Sequence, residues 1–304
     1  MIVSDLAPGE LERRLAGAGL RLRTGPVVTN IHSVLPLVSA GLRLHYGQHP
    51  VEADAGFADF HVAVVASKGL RRWFRRQVLF QSDESKPFAP LPLDQAFPML
   101  EWGLNWCISN HCHQYLIIHA AVVERHGGAM ILPAPPGSGK STLCAGLVAK
   151  GWRLLSDELT LIDMDSGQVV PVPRPVSLKN ASIEAIRRFD DGVVIGPAVR
   201  DTFKGTVAHM QPPAASVCRA EETARPALIV LPRYSAGAAT TLGPLSKANA
   251  YMQLADNSFN YHLHGYRGFE RLAAVVDGCS CHEFSYSDLG EAVRVFDGIA
   301  ESWS

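Results

Sequence analysis

At 304 residues the chain has room for one large domain or two smaller ones, and 47% hydrophobic with 19% charged residues is the balance of a globular protein with a sizeable core. The formal net charge of −1 excludes a global electrostatic attraction to nucleic acid or to an anionic membrane. Met1 to Pro8 has an acidic residue and no apolar core, and no apolar run is long enough for a bilayer span, so the expectation is a soluble cytoplasmic protein with no nucleic-acid or membrane partner.

The first part of the chain, to about Phe80, reads mostly as β. Glu10 to Ala18 has the spacing of a short amphipathic helix. Strands are expected at Val27–Val34, Leu42–Tyr46, Phe60–Val65 and Trp73–Phe80. Leu42-Arg43-Leu44-His45-Tyr46 alternates as half-buried strands do. Arg71, Arg72, Arg75 and Arg76 form a basic cluster, either a solvated strand face or turn, or a site for an acidic partner. Ser82 to Pro92 is polar and then proline-rich. It is the linker candidate, dividing a mostly β region, residues 1–92, from a second region, residues 93–304. Beyond it, Asp94 can cap a helix running through Phe97, Leu100, Leu104 and Cys107.

Leu116 to Val123 then reads as a strand, Arg125 to Gly128 as a turn, and Ala129 to Leu132 as a second strand. So short a turn requires an antiparallel pair. The second strand runs into Ala134-Pro135-Pro136-Gly137-Ser138-Gly139-Lys140-Ser141 and a helix from Ser141 to Lys150, stopped by Gly151. This is a phosphate-binding loop in relaxed form, with Ala134 where the strict pattern has Gly, set in the strand–loop–helix context that such a loop needs. Gly137 and Gly139 let the backbone curl toward an anion. The amides of Ser138 through Thr142 and the helix dipole favour phosphate, Lys140 brings positive charge to the β- and γ-phosphates, and Ser141 offers a hydroxyl to Mg²⁺. Pro135 and Pro136 precede the donating amides and stiffen the loop without removing donors.

Trp152 to Leu155 is a strand ending in Ser156-Asp157-Glu158, acidic residues placed to meet Mg²⁺ or a reacting hydroxyl. Leu159–Asp163 and Gln168–Val172 form a second hairpin about Asp165-Ser166-Gly167. Arg174, Lys179 and Lys204 lie in Gly/Pro-bounded stretches and are either surface cations or partners for a moving phosphoryl group. Lys204 is the most suggestive, because Gly205 follows it, and His209 in the same stretch is a further candidate. Asp201 to His209 is expected to fall between regular elements as a mobile loop. The tail reads as a strand at Pro226–Pro232, helices at Ser246–Ala255 and Gly268–Val276, a strand at Cys281–Tyr286 and a helix from Asp288 to Trp303, with Asp288 and Glu291 in capping-box spacing. Asn257 to His262 lines a groove or serves packing. The six cysteines lack paired CxxC spacing and read as reduced and mostly buried, so no zinc is assigned.

His119, the PPGSGKST loop and Leu154-Leu155-Ser156-Asp157-Glu158 together resemble the catalytic domain of the HPr kinase/phosphorylase-like superfamily, and the chain is most similar to its HPr-kinase-related "kinase A" group. The resemblance implies an α/β, HPr kinase / phosphoenolpyruvate carboxykinase-like P-loop fold with a mixed sheet, preceded by the smaller β region. It implies Asp157 as the base toward a serine hydroxyl, Glu158 beside it, and His119 near Asp157, unless His119 is simply a satisfied core histidine. Taken together, the residues lead to an ATP-dependent, Mg²⁺-requiring kinase. Asp157, His119 and Lys204 are its catalytic residues, Gly137 to Thr142 hold nucleotide, and Ser141, Asp157 and Glu158 hold the metal. Arg174, Lys179 and His209 face the substrate. The expected acceptor is a small protein or peptide, and a homo-oligomer is allowed. A kinase for a small-molecule hydroxyl and a nucleotide-sensing module without turnover are the rival readings.

Overall fold

The structure of the protein, a computed structural model, describes residues 1–53, 56–68, 76–83, 85–135 and 137–303. It is a mixed α/β architecture of several sheets and helices. The N-terminal part runs α1 (Glu10–Ala16), β1 (Leu20–Thr24), β2 (Val27–His32), α2 (Pro36–Tyr46), β3 (Phe60–Ala66), β4 (Gln77–Ser82) and β5 (Leu91–Pro92), followed by α3 (Ala96–His111). Strands β1 to β5 form one sheet in sequential order. Its apolar face, including Leu22, Val62, Val64, Val78 and Phe80, shares a core with Val38, Leu42 and Tyr46 of α2 and with Met99, Leu100 and Leu104 of α3.

Three expectations change here. Leu42–Tyr46 is the end of α2 rather than a strand. Val38, Leu42 and Tyr46 are all buried at four-residue spacing, and Pro36 sits in the first turn where a missing amide costs nothing. A five-residue alternation is too short to separate a period of two from one of 3.6. Ser82–Pro92 does not lead away from the sheet, because Leu91 and Pro92 pair back onto Val78 and Gln77 of β4. The strand expected from Trp73 is described from Gln77, and Arg71, Arg72 and Arg75 lie outside the described residues. Asp94 does not cap α3; Gln95 occupies the cap position, and no side chain bonds there.

The chain continues through β6 (Tyr115–Ile118), β7 (Ala120–Arg125), β8 (Gly128–Pro133), α4 (Lys140–Ala149), β9 (Arg153–Ser156), β10 (Thr160–Asp163), β11 (Val169–Val170), β12 (Val176–Lys179), α5 (Ala181–Phe189), β13 (Val199–Thr202), β14 (Gly205–Met210) and α6 (Ala214–Cys218). It ends with β15 (Arg225–Tyr234), β16 (Thr241–Pro244), α7 (Lys247–Asp256), α8 (Tyr261–Gly278), β17 (Ser280–Tyr286) and α9 (Leu289–Ala300). The largest sheet has the order β16-β17-β15-β8-β7-β9. β8 is parallel to β15, and β15 to β17, whereas β7 is antiparallel to both β8 and β9.

Alternation decides which face each side chain takes. Ala121, Val123, Met130, Leu132, Leu228, Val230, Phe284 and Tyr286 point to one face, where Leu143 and Leu147 of α4 and Val293 and Phe296 of α9 cover them. Ala120, Val122, Ala129, Ile131, Ile229 and Cys281 point to the other, against Ala250 and Leu254 of α7 and Leu272 and Val276 of α8. Asp288 caps α9 by accepting the Glu291 amide at 2.7 Å, but Glu291 does not complete a capping box: its carboxylate instead accepts the Thr240 hydroxyl at 2.6 Å. All six cysteines are free thiols, with Cys218 alone exposed. Among the described residues no helix is long and apolar enough to cross a membrane.

The strand expected from Leu116 to Val123 is two strands. From Ala120 onward it pairs antiparallel with β8, Ala120 opposite Pro133, as the short turn requires. Tyr115–Ile118 instead pairs with β10 in a separate small sheet. The break is at His119, whose amide donates to the Asn257 carbonyl at 2.7 Å instead of joining either ladder. One continuous run of apolar residues thus turns a corner between two sheets.

Candidate functional site

The loop after β8 curls as its glycines allow. Gly137 (φ 88°) and Gly139 (φ 90°) both occupy the left-handed region, and Gly139 is the N-cap of α4 with no side chain capping it. The first amides of α4 therefore lack helical partners, and the dipole's positive end faces the loop. Lys140 is buried, and its Nζ has no hydrogen-bond partner; the Ser138 hydroxyl is likewise unpartnered. An ammonium in that setting is expensive unless an anion joins it. Burial lowers the Lys140 pKa, against which the charges of Asp157 and Glu158 work.

Asp157 follows the last residue of β9 and is buried. Its Oδ2 accepts the Ser177 amide from β12 at 3.0 Å, while its Oδ1 has no partner. Burial, and then the neighbouring Glu158 charge, push its pKa up to about 6. Glu158 behaves oppositely. Burial alone would raise its pKa, but Lys204, Lys179 and Lys140 outweigh that and hold it below the ordinary value. Its Oε2 accepts the Asn105 side-chain amide, and its Oε1 lies 3.9 Å from Lys179 Nζ. Two adjacent carboxylates are thereby driven apart, one ready to take a proton and one fixed as an anion.

His119, half-buried at the corner between β6 and β7, senses the charges of Lys140, Glu158, Lys179 and Lys204. Burial, and after it Lys140, lowers its pKa to about 4, so it is neutral near pH 7. Its ring lies 6.0 Å from that of Phe259. His209, on β14, is buried edge-on to Phe97 with an unpartnered Nε2, and burial lowers its pKa to about 4. Asp157, Glu158, Ser177, Arg174 and His209 line one cleft together with Glu101, Trp102 and Asn105 of α3.

The segment from Asp201 to His209 is not a loop between elements. β13 and β14 make a hairpin with Phe203 and Lys204 at its tip, and β14 pairs with β12, Ser177 opposite His209. Lys204 Nζ sits 5.3 Å from the centre of the Trp102 ring and 5.4 Å from that of Phe203. Burial lowers its pKa, and the Glu158 charge opposes the shift. Aromatic contacts on two sides hold this ammonium near the carboxylates without neutralising it.

Arg174 lines the cleft, but most of its donors face inward. Nη2 bonds the Glu101 carboxylate at 2.7 Å and the Glu101 carbonyl at 3.0 Å, Nη1 bonds Asn105 Oδ1 at 2.7 Å, and Nε bonds the Tyr46 hydroxyl at 3.2 Å. Tyr46 in turn donates to Glu101 Oε1 at 2.7 Å. Burial works against the charge on Arg174, but Tyr46 and Glu101 more than compensate and hold it protonated. Arg174 thus joins α2, α3 and the strand that carries Ser177. Glu101, Trp102, Asn105 and Ser177 escaped the sequence reading. The available signal was polar Glu101 and Asn105 one turn apart in the otherwise apolar stretch of residues 96–108, a spacing that puts them on one face.

Residues 99–179 match the model of a family described as ScmC, SynChlorMet cassette protein, a stretch of about a quarter of the chain. No match was found among curated proteins. The match corrects the resemblance to the HPr kinase family: the family found is a different one. His119, the glycine-rich loop and Ser156-Asp157-Glu158 all fall inside the matched stretch. A strand, glycine-rich loop and acidic strand end are therefore not diagnostic of HPr kinases.

Proposed function

We propose that the protein is a P-loop phosphotransferase that uses Mg-ATP and passes the γ-phosphoryl group to a hydroxyl, with a serine of a small protein or peptide as the acceptor. The observation that carries this reading is a set of buried polar atoms with no partner: Lys140 Nζ from the glycine-rich loop, Asp157 Oδ1 from the strand end, and Ser177 Oγ and His209 Nε2 from the facing strands. Buried polar groups are normally satisfied; Asp157, Ser177 and His209 line one cleft, and Lys140 acts by its charge on Asp157 and Glu158 there, a combination that points to a polar ligand. The residues fit the nucleotide: two left-handed glycines, free helix amides and an unpaired ammonium suit a polyphosphate. Ser141 with Asp157 and Glu158 suits Mg²⁺, which takes one or two carboxylates and completes its shell with phosphates and water. When bound, the cation neutralises charge on the β- and γ-oxygens.

The chain's own residues supply the rest. Asp157 Oδ1 is free to take the hydroxyl proton as the acceptor oxygen forms its bond to the γ-phosphorus and ADP leaves. A carboxylate whose pKa is raised toward 6 is a better base than one in water. The Ser177 amide orients that carboxylate. Lys179 and Lys204 bring further positive charge to Glu158 from outside the glycine-rich loop. The family description names a cassette, which supports looking for the acceptor among peptides encoded beside this gene.

The test measures ADP formation and nucleotide affinity with such peptides added. Lys140→Ala is expected to remove turnover while the fold survives, and Asp157→Asn to bind ATP but not transfer. Undiminished turnover in Lys140→Ala overturns the phosphate-loop assignment. Transfer by Asp157→Asn at the wild-type rate removes Asp157 as the base. Binding without turnover with every acceptor leaves a nucleotide sensor.

A further inference from the structure

Strand β15 lies beside β8 and parallel to it, Leu228 opposite Met130 and Ile229 opposite Ile131, so the two strands deliver their C-terminal ends to the same edge. β8 ends in the phosphate loop, and β15 ends in Arg233 and Tyr234. The amide of Tyr234 donates to the Ser138 carbonyl at 2.8 Å, which ties the end of β15 to the middle of the loop. From β17, Tyr286 donates its hydroxyl to the Gly139 carbonyl at 2.9 Å. The fit is close: a Cβ on Gly139 would lie 2.6 Å from the Tyr286 hydroxyl oxygen and 2.7 Å from Tyr234 Cβ.

The two tyrosines meet edge-to-face at 5.6 Å, yet their surroundings differ. Tyr286 is 1% exposed and belongs to the core, whereas Tyr234 is 50% exposed. Among the described residues, Tyr234 is the exposed aromatic side chain whose backbone is bonded to the phosphate loop. Asp157 stands on the other side, since it follows β9 in the order β15-β8-β7-β9, and Ser177 bonds it there. A triphosphate lying in the loop with its γ end at Asp157 has its nucleoside end directed toward β15.

We propose that Tyr234 is the platform on which the nucleobase of the bound nucleoside triphosphate stacks. The inference rests on the reading of the glycine-rich loop as a nucleotide site and adds to it the contact that distinguishes a nucleotide from bare polyphosphate. An aromatic ring anchored at its backbone loses little conformational freedom on stacking, and every base presents a π-face to it. The platform is built from the strand next to the loop, so its position is set by sheet register and not by a mobile segment.

The experiment measures dissociation constants of ATP and of inorganic tripolyphosphate, each with Mg²⁺, for the full-length wild type, Tyr234→Ala and Tyr234→Phe. Tyr234→Ala is expected to weaken ATP binding roughly tenfold or more and to leave tripolyphosphate unchanged, while Tyr234→Phe stays within about threefold of wild type for both. Unchanged ATP affinity in Tyr234→Ala overturns the proposal. Equal losses for ATP and tripolyphosphate also overturn it, because Tyr234 then holds the loop and not the base. Wild-type protein that binds neither compound overturns the phosphate-loop reading itself, a failure distinct from the other two. Should Tyr234→Ala fail to fold, an NOE between adenine H2 and the Tyr234 ring, assigned by the disappearance of the Tyr234 Hδ/Hε resonance pair in Tyr234→Phe, decides: its presence supports the platform and its absence sinks it.

Discussion

Glu101→Gln is the substitution whose consequence the structure specifies most closely. It keeps the side chain's volume and removes its charge. Glu101 lies on α3 with one carboxylate oxygen on Arg174 Nη2 and the other on the Tyr46 hydroxyl, and both members of the ion pair are nearly inaccessible, at 8% and 5%. The neutral amide leaves a buried guanidinium with no counter-charge and turns an NH₂ group toward one donor or the other. Breaking a buried pair from one side costs about 3–5 kcal/mol. That is a large part of a typical unfolding free energy of about 5–15 kcal/mol. The Tm should fall by on the order of 10 °C, since 1 kcal/mol shifts a domain of comparable size by about 2–4 °C. The site should respond too, because Asn105 bonds both Arg174 and Glu158, so phosphotransfer is expected to fall along with stability. Urea unfolding of Glu101→Gln, and of the cycle Glu101→Met, Arg174→Met and Glu101→Met/Arg174→Met, gives the comparison. The double variant should recover most of the loss, as matched apolar replacements of buried pairs do. A cost below about 1 kcal/mol for Glu101→Gln, or a double variant that loses the sum of the singles, refutes the reasoning.

Stability should also fall steeply in mild acid. His45, His49, His119 and His209 are each held by burial at a pKa of about 4, so between there and the ordinary 6.5 the unfolded chain binds protons that the native one does not. Asp157, raised to about 6, works in the opposite direction and offsets about one of them. Near pH 5 unfolding then takes up about two to three protons, and stability drops by roughly 3–4 kcal/mol per pH unit as pH falls. Urea midpoints that stay flat from pH 7 to pH 5 contradict this. Lys204→Ala should slow single-turnover transfer at saturating Mg-ATP by one to two orders of magnitude, about 1.4–3 kcal/mol in barrier. The same variant should lower stability by no more than the about 0.5–2 kcal/mol of its aromatic contacts. An unchanged rate removes Lys204 from the site.

What one stretch of sequence could determine alone was local. The left-handed glycines at 137 and 139, the apolar strand before them and the helix after them follow from a few consecutive residues, because φ preference and hydrophobic period are properties of neighbours along the chain. The antiparallel pairing of β7 with β8 follows likewise, since a tight turn permits no other direction. Tertiary structure decided the rest. Whether Leu42–Tyr46 was strand or helix depended on which face α3 would cover. The corner at His119 depended on an amide partner, Asn257, far along the chain. Lys204 came within reach of the Glu158 charge because β14 paired with β12, and Arg174 was drawn into holding elements together because Glu101 is buried opposite it. The orphaned atoms that line the cleft belong to four separate segments, around 102, 157, 177 and 209. No pattern along the chain relates those segments, because their distances are set by sheet register and by the packing of α3 across the cleft.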